Sequence, residues 1–242
     1  MKITIAKNEQ EFDTIAAWRI MAAMETHPKA VIGLSTGQTT VNMHRIVTEI
    51  YRQYPFDVSG ITLFGVDEIT NVPRDYSGTC YTILKTQMAD ALGIEEPQFL
   101  MPPTVSNDFE RECRQYERAL ETRGGVDLQI LGLGTNGHLG FNQPGTPFES
   151  VTWISVMDKD LETRIRQETL TPPGQVLGGF TLGIQNLMHS RKIVLAAKGI
   201  RKAGIVREML KGPVTTRVPA SILQLHPDCE FLLDTDAAKY II

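Results

Sequence analysis

Cysteine is scarce in this 242-residue chain: Cys80, Cys113 and Cys229 are widely separated and odd in number. That argues against a disulfide framework and against a zinc site built on paired thiolates. Three reduced thiols in a cytoplasmic protein is the simplest reading. No apolar run approaches the roughly 18 residues that would span a bilayer, so no membrane partner is expected. The amino-terminal stretch MKITIAKNEQEFD lacks an apolar core and turns acidic at once, unlike a secretory signal. Lys and Arg number 24 against 28 Asp and Glu, a formal charge of −4. There is no basic stripe to attract nucleic acid, so any anion site must be local. Repeats, low-complexity linkers and shifts of composition are also missing, which predicts a single domain over 1–242.

What is present is a set of five short apolar runs, at 30–34 (AVIGL), 61–66 (ITLFGV), 128–133 (LQILGL), 193–197 (IVLAA) and 231–233 (FLL). Continuous runs of this length suit strands buried on both faces of a parallel sheet. Helical patterns lie between them, at 11–24, 107–123 and 202–210. The alternation predicts an α/β fold, a Rossmann-like, doubly wound, mostly parallel sheet with helices on both faces. In such sheets ligands bind beyond the carboxyl ends of the strands. The polar residues after each run therefore matter most.

After the third run, Gly132, Gly134 and Gly137 spell G-x-G-x-x-G. A dinucleotide turn requires a helix to start inside that pattern. Here His138, Gly140, Pro144 and Gly145 follow, which do not start a good helix. The acidic residue expected about 20 positions on is also absent, replaced by the charged stretch VMDKDLETRIRQ. The glycines instead let backbone pass close to a small ligand, and His138 is delivered to it. The other histidines (His27, His44, His189 and His226) lack this setting, and His226 reads as a structural residue.

After the second run comes Asp67-Glu68. A carboxylate at a strand end is partly desolvated, which raises its pKa toward the range of a general base; the plainer role is a helix cap. After the first run, Ser35-Thr36-Gly37-Gln38-Thr39 offers hydroxyls and backbone N–H groups before a helix starting near Thr39, an anion cradle or a plain cap. It is no Walker loop, since no G-K-[ST] follows. After the fourth run, Lys202 lies early in its helix and supplies a positive charge to the same anion.

Taken together, VIGLSTGQTT, FGVDE, LGLGTNGHLGFNQPG, TLGIQNLMHSRKIVLAAKGIRKA and VPASILQLHPD resemble, in collinear order, the glucosamine-6-phosphate deaminase family. SGTCYTIL at 77–84 leans toward its galactosamine-6-phosphate isomerase/deaminase branch. The resemblance implies a hexosamine 6-phosphate that is opened, isomerised from aldose to ketose and stripped of ammonia, with no metal or redox cofactor. It implies Asp67 as the base between C2 and C1, and His138 as the proton shuttle between O1 and the ring oxygen. Thr36, Gly37, Gln38 and Lys202 would hold the phosphate, joined by Ser35, Thr39 and a lid arginine, Arg164 or Arg166. Glu68, Gly134 and Gly137 would line the substrate loop.

The chain departs from the family pattern at two positions. Gln143 stands where the family has Glu, and Asn136 where many members have Asp, so the carboxylates that tune the imidazole are depleted. A lower histidine pKa is expected. Two rivals remain open. One is a 6-phosphogluconolactonase, whose corresponding segment is a shorter A-S-L-F-P type. The other is a non-catalytic sugar-phosphate sensor. Monomer and homo-oligomer are both open. The end KYII is shorter than in the allosteric members, which implies no activation by an amino-sugar phosphate.

Overall fold

The computed structural model describes residues 1–157, 159–171, 174 and 176–242, without the side chains of 160 and 168. In chain order its elements are β1 (Lys2–Ala6), α1 (Glu9–Thr26), β2 (Val31–Leu34), α2 (Val41–Gln53), β3 (Thr62–Gly65) and β4 (Asp67–Thr70). Next come α3 (Cys80–Leu84), a π-helical turn at Lys85–Ala89, α4 (Asp90–Leu92), β5 (Phe99–Leu100), α5 (Phe109–Glu121) and β6 (Leu128–Gly132). The last third holds β7 (Trp153–Val156), α6 (Lys159–Thr169), β8 (Gly178–Thr181), α7 (Ile184–Met188), β9 (Ile193–Ala197), α8 (Ala203–Lys211) and β10 (Cys229–Asp234).

Seven strands form a parallel sheet in the order β1-β10-β9-β6-β2-β3-β5. Successive residues of its strands feed opposite faces. Val31, Phe64 and Leu195 join a core with Tyr116 and Leu120 of α5 and Val206 and Met209 of α8. Ile32, Leu63 and Ala196 join another with Phe12 and Ile20 of α1 and Met43 and Val47 of α2. Burial on both faces is why the five runs are apolar throughout. The chain winds outward from β2 through β3 to β5, and from β6 through β9 to β10. The winding therefore reverses between β2 and β6, and the loops leaving these two strands border the crevice where such sheets bind ligands.

A second sheet, antiparallel β4-β8-β7, is absent from the sequence-based expectation. The chain passes from β3 through Val66 directly into β4, where Asp67 pairs with Thr181 and Glu68 with Phe180. Asp67 thus stands at the point where the backbone leaves one sheet for the other. The charged stretch at 156–167 leaves β7 at Val156 and from Lys159 is helix α6, packed by Leu161 against Phe141, Met157 and Leu177; its residue 158 lies outside the described residues. No described helix is long and apolar enough to cross a membrane.

Candidate active site

The loop after β2 leaves Gly37 and Gln38 exposed and Thr36 and Thr39 half-buried. Helix α2 begins at Val41, two residues later than expected, and no side chain caps its N-terminus. Thr40 instead turns its hydroxyl back to the Gly37 carbonyl, 3.1 Å away. The first N–H groups of α2 remain open to an anion, where the helix dipole favours one. Ser35 takes a different part: its buried hydroxyl donates to the Ile130 carbonyl at 3.0 Å and ties the loop to β6.

The glycine loop answers the question its pattern raised. A Cβ on Gly134 would stand 2.2 Å from His138 Nδ1, so this glycine exists to let the imidazole lie against the backbone. Gly134 N–H donates to the His138 carbonyl at 3.0 Å, and Gly137, at φ +85°, donates to Gly134 O. His138 is half-buried. Its Nδ1 lies 2.7 Å from Asn136 Oδ1, and Asn136 Nδ2 donates to Gln143 Oε1 at 3.1 Å. An amide oxygen only accepts, so Nδ1 carries the hydrogen and Nε2 keeps its lone pair. Burial, assisted by the charges of Arg164 and Lys202, pushes the imidazole down to about 4. Burial is the first cause of this lowering.

Asp67 and Glu68 have different surroundings. Glu68 is fully buried, and its oxygens accept the backbone N–H groups of Ile69, Cys80 and Tyr81 at 2.7–2.9 Å. It serves the first N–H groups of α3 beside the N-cap Thr79, with its carboxyl pushed up to about 8 by burial. Asp67 is the carboxylate left for the crevice, and burial pushes it up to about 6. A Cβ on Gly140 would lie 3.2 Å from Asp67 Oδ2, so the backbone two residues beyond His138 passes beside this carboxylate.

Lys202 sits at the N-cap of α8, and its Nζ donates to the Leu133 carbonyl at 2.6 Å, at the mouth of the glycine loop. Of the two arginines on α6, Arg164 is close enough to bias His138 electrostatically. Arg166 makes an i,i+4 pair with Glu162 at 2.6 Å. Lys198, which follows β9, is turned away to Glu9 and Asp13 at 2.7 and 3.2 Å. The remaining buried histidines are structural. His226 bridges Ser190 O and Asp228 N, and His44 meets Gln87 in the π-helical turn at 2.9 Å.

Sequence reasoning missed three supporting residues. Asn142 is fully buried and satisfied by Leu139 O, Leu182 O and the Trp153 indole N–H; it pins the glycine loop to the second sheet. Thr181 donates no strand signal of its own, yet its hydroxyl accepts Phe141 N–H at 3.2 Å. Cys80 approaches both Thr36 and Asp67. Among the described residues no group of three or more His, Cys, Asp or Glu side chains is arranged to hold a metal.

A parallel sheet whose winding reverses beside an uncapped helix, with a half-buried acid after β3 and a neutral histidine after β6, on either side of β2, defines an α/β ligand-binding crevice. The chain belongs to the glucosamine-6-phosphate isomerase/6-phosphogluconolactonase family, whose model matches residues 8–230. It is 33% identical over 241 residues to a glucosamine-6-phosphate deaminase of Thermoanaerobacter pseudethanolicus, covering 100% of this chain and 95% of that one. It is 34% identical to the deaminase of Clostridium botulinum strain Kyoto, with 99% and 98% covered. A solved monomeric glucosamine-6-phosphate deaminase superposes with a TM-score of 0.93 at 30% identity, over 99% of this chain and 100% of that one. The 6-phosphogluconolactonase of Trypanosoma cruzi shares the fold with a TM-score of 0.80 at 18% identity, over 98% and 96%.

Proposed function

We propose that this enzyme converts glucosamine 6-phosphate to fructose 6-phosphate and ammonia. The relatives named above carry the glucosamine name, which favours that sugar over the galactosamine lean of residues 77–84. The observation that carries the reading is the approach of Gly140 to Asp67 Oδ2. It brings a carboxyl raised into the useful range beside the loop that presents a neutral imidazole.

The phosphate sits at the N-terminus of α2, held by the backbone of Thr36, Gly37 and Gln38 and the Thr36 and Thr39 hydroxyls. Lys202 and Arg164, whose charges bear on His138, supply its counter-charge. Arg164 rather than Arg166 is the lid arginine, because its charge reaches His138. With the Nε2 lone pair available, His138 takes the O1 proton and returns it to the ring oxygen as the C1–O5 bond breaks. An imidazole low enough to stay neutral starts this cycle in the correct state. Asp67 then removes the proton from C2 and delivers it to C1. The resulting C2 imine adds water and releases ammonia. Asn136 and Gln143 hold the imidazole's tautomer through their amide chain. Three buried free thiols suit a cytoplasmic setting.

The test is to incubate the protein separately with glucosamine 6-phosphate, galactosamine 6-phosphate and 6-phosphogluconolactone, following ammonia, ketose phosphate and acid release. Ammonia and ketose phosphate in equal amounts from glucosamine 6-phosphate is the expected result. Lactone hydrolysis without ammonia would replace this reading with the lactonase. Tight binding without turnover of any of the three would replace it with a sensor.

A further inference from the structure

Cys80 stands between the two halves of the site. Its Sγ lies 3.1 Å from Thr36 Oγ1 in the phosphate loop and 3.8 Å from Asp67 Oδ1. Its backbone is fixed from below, since Cys80 N–H donates to buried Glu68 at 2.8 Å. The thiol has one hydrogen and the Thr36 hydroxyl has one. The Cys80 S–H donates to the Asp67 carboxylate, which leaves Thr36 as the donor to sulfur, so every acceptor is served. A phosphate oxygen changes this arrangement. It takes the Thr36 hydrogen, and Thr36 Oγ1 is left with only lone pairs toward Cys80. The S–H then turns from Asp67 to Oγ1.

We propose that Cys80 is a positioning residue through which substrate phosphate, on engaging Thr36, frees Asp67 from a thiol hydrogen bond and makes it a stronger base in the loaded enzyme than in the empty one. The inference rests on the phosphate loop and base assigned above. No covalent bond changes; a hydroxyl and a thiol rotate. The direction follows because a donor to a carboxylate stabilises its charged form, so losing that donor raises its affinity for a proton. Burial and the neighbouring carboxylates push the Cys80 pKa well up, so it remains an S–H donor. The other titratable groups bearing on Asp67 are Glu68 on its own strand and Tyr116 from α5. Both are committed to backbone, Glu68 to three N–H groups and Tyr116 to the Gly65 carbonyl at 2.7 Å. Thr181 and Gly140 also lie beside Asp67 and carry no group that titrates in this range.

Infrared difference spectra in the S–H stretching region test the rotation directly, with inorganic phosphate as the probe and calorimetry to establish that it binds. The band lost in Cys80→Ser is that of Cys80, and it should shift when phosphate is added to the wild-type enzyme. In kinetics, the acid limb of kcat reports the loaded enzyme and that of kcat/KM the free one. The kcat limb should lie higher by about half a pH unit to one unit. Cys80→Ala should collapse that separation, and Cys80→Ser, which keeps a donor, should restore it. Substrate ionisation is common to all variants and cancels. Phosphate binding with an unmoved band, or an unchanged separation in Cys80→Ala, overturns the proposal. A wild-type enzyme that neither binds phosphate nor turns over hexosamine 6-phosphates fails differently, removing the functional reading and this inference with it.

Discussion

The imidazole of His138 rests against the α-carbon of Gly134, where a Cβ would stand 2.2 Å from Nδ1 and 2.3 Å from Cε1. The glycine pattern that imitates a dinucleotide turn is therefore a seat for the imidazole. Gly134→Ala must push the ring away, since the backbone on the other side is tied by the Gly134 N–H to His138 O bond. Overpacking of this kind costs about 1–3 kcal/mol, which leaves the protein folded. A ring displaced by an ångström loses about 10²-fold in rate. The variant should keep its affinity for inorganic phosphate while kcat falls by that factor, measurable by calorimetry and an ammonia assay together. Unchanged kcat would show that the ring position is not critical.

Two amides, Gln143 and Asn136, stand behind His138 where charge is expected in the family. Asn136→Asp places a carboxylate on Nδ1 and should raise the histidine pKa by about 1–3 units. Gln143→Glu acts one residue further away and should raise it less. Proton NMR titration of the imidazole reads both shifts. Turnover should respond in the same order, since a more basic imidazole takes the O1 proton more readily but starts protonated at lower pH. Equal turnover in all three proteins would mean that the amide chain sets geometry alone.

The strands of the central sheet were legible because burial on both faces leaves an unbroken apolar run. β1 and β5 lie at the sheet's edges, where one side has no neighbouring strand, and β5 has only two residues. Sequences such as KITIA and FL therefore carry no comparable signal. The second sheet was invisible for another reason: DEIT and GGFT are strands only because they pair with each other. Asp67 and His138 could be found as polar residues at strand ends. The separate roles of Asp67 and Glu68 could not, because the α3 backbone that Glu68 caps lies twelve residues away along the chain. Cys80 is harder still to detect, since its meaning depends on Thr36, which is 44 residues distant.

Arg164 and Arg166 are two residues apart on α6, and the charge of the first bears on His138. Arg164→Ala should raise KM for the sugar phosphate about tenfold or more, as one charge-assisted contact to phosphate is worth about 1.5–3 kcal/mol. It should also raise the histidine pKa, because a neighbouring cation has been removed. Arg166→Ala breaks a helical ion pair with Glu162 worth about 0.5 kcal/mol and should leave both quantities near the wild-type values. Steady-state kinetics on the two variants distinguishes them, and a larger KM effect at Arg166 would reverse the assignment.

Asp67 couples activity to stability in opposite senses. Its folded pKa of about 6 lies above the ordinary 3.8. Between these values the folded state holds more protons than the unfolded state, so stability falls as pH rises through the window. At neutral pH the buried charge then costs about 3 kcal/mol, at 1.36 kcal/mol per unit. The proposed mechanism needs that same charge, so kcat/KM, which reports the free enzyme, should rise with pH through about 6. Asp67→Asn removes the charge while keeping the shape. It should lower kcat by about 10²–10⁴-fold, as expected for loss of a general base. It should also raise the melting temperature at pH 7 and flatten the dependence of melting temperature on pH between 4 and 6. Calorimetric melts of both proteins across that range decide the matter. A variant less stable than wild type at pH 7 would show that Asp67's contacts outweigh the cost of burying its charge.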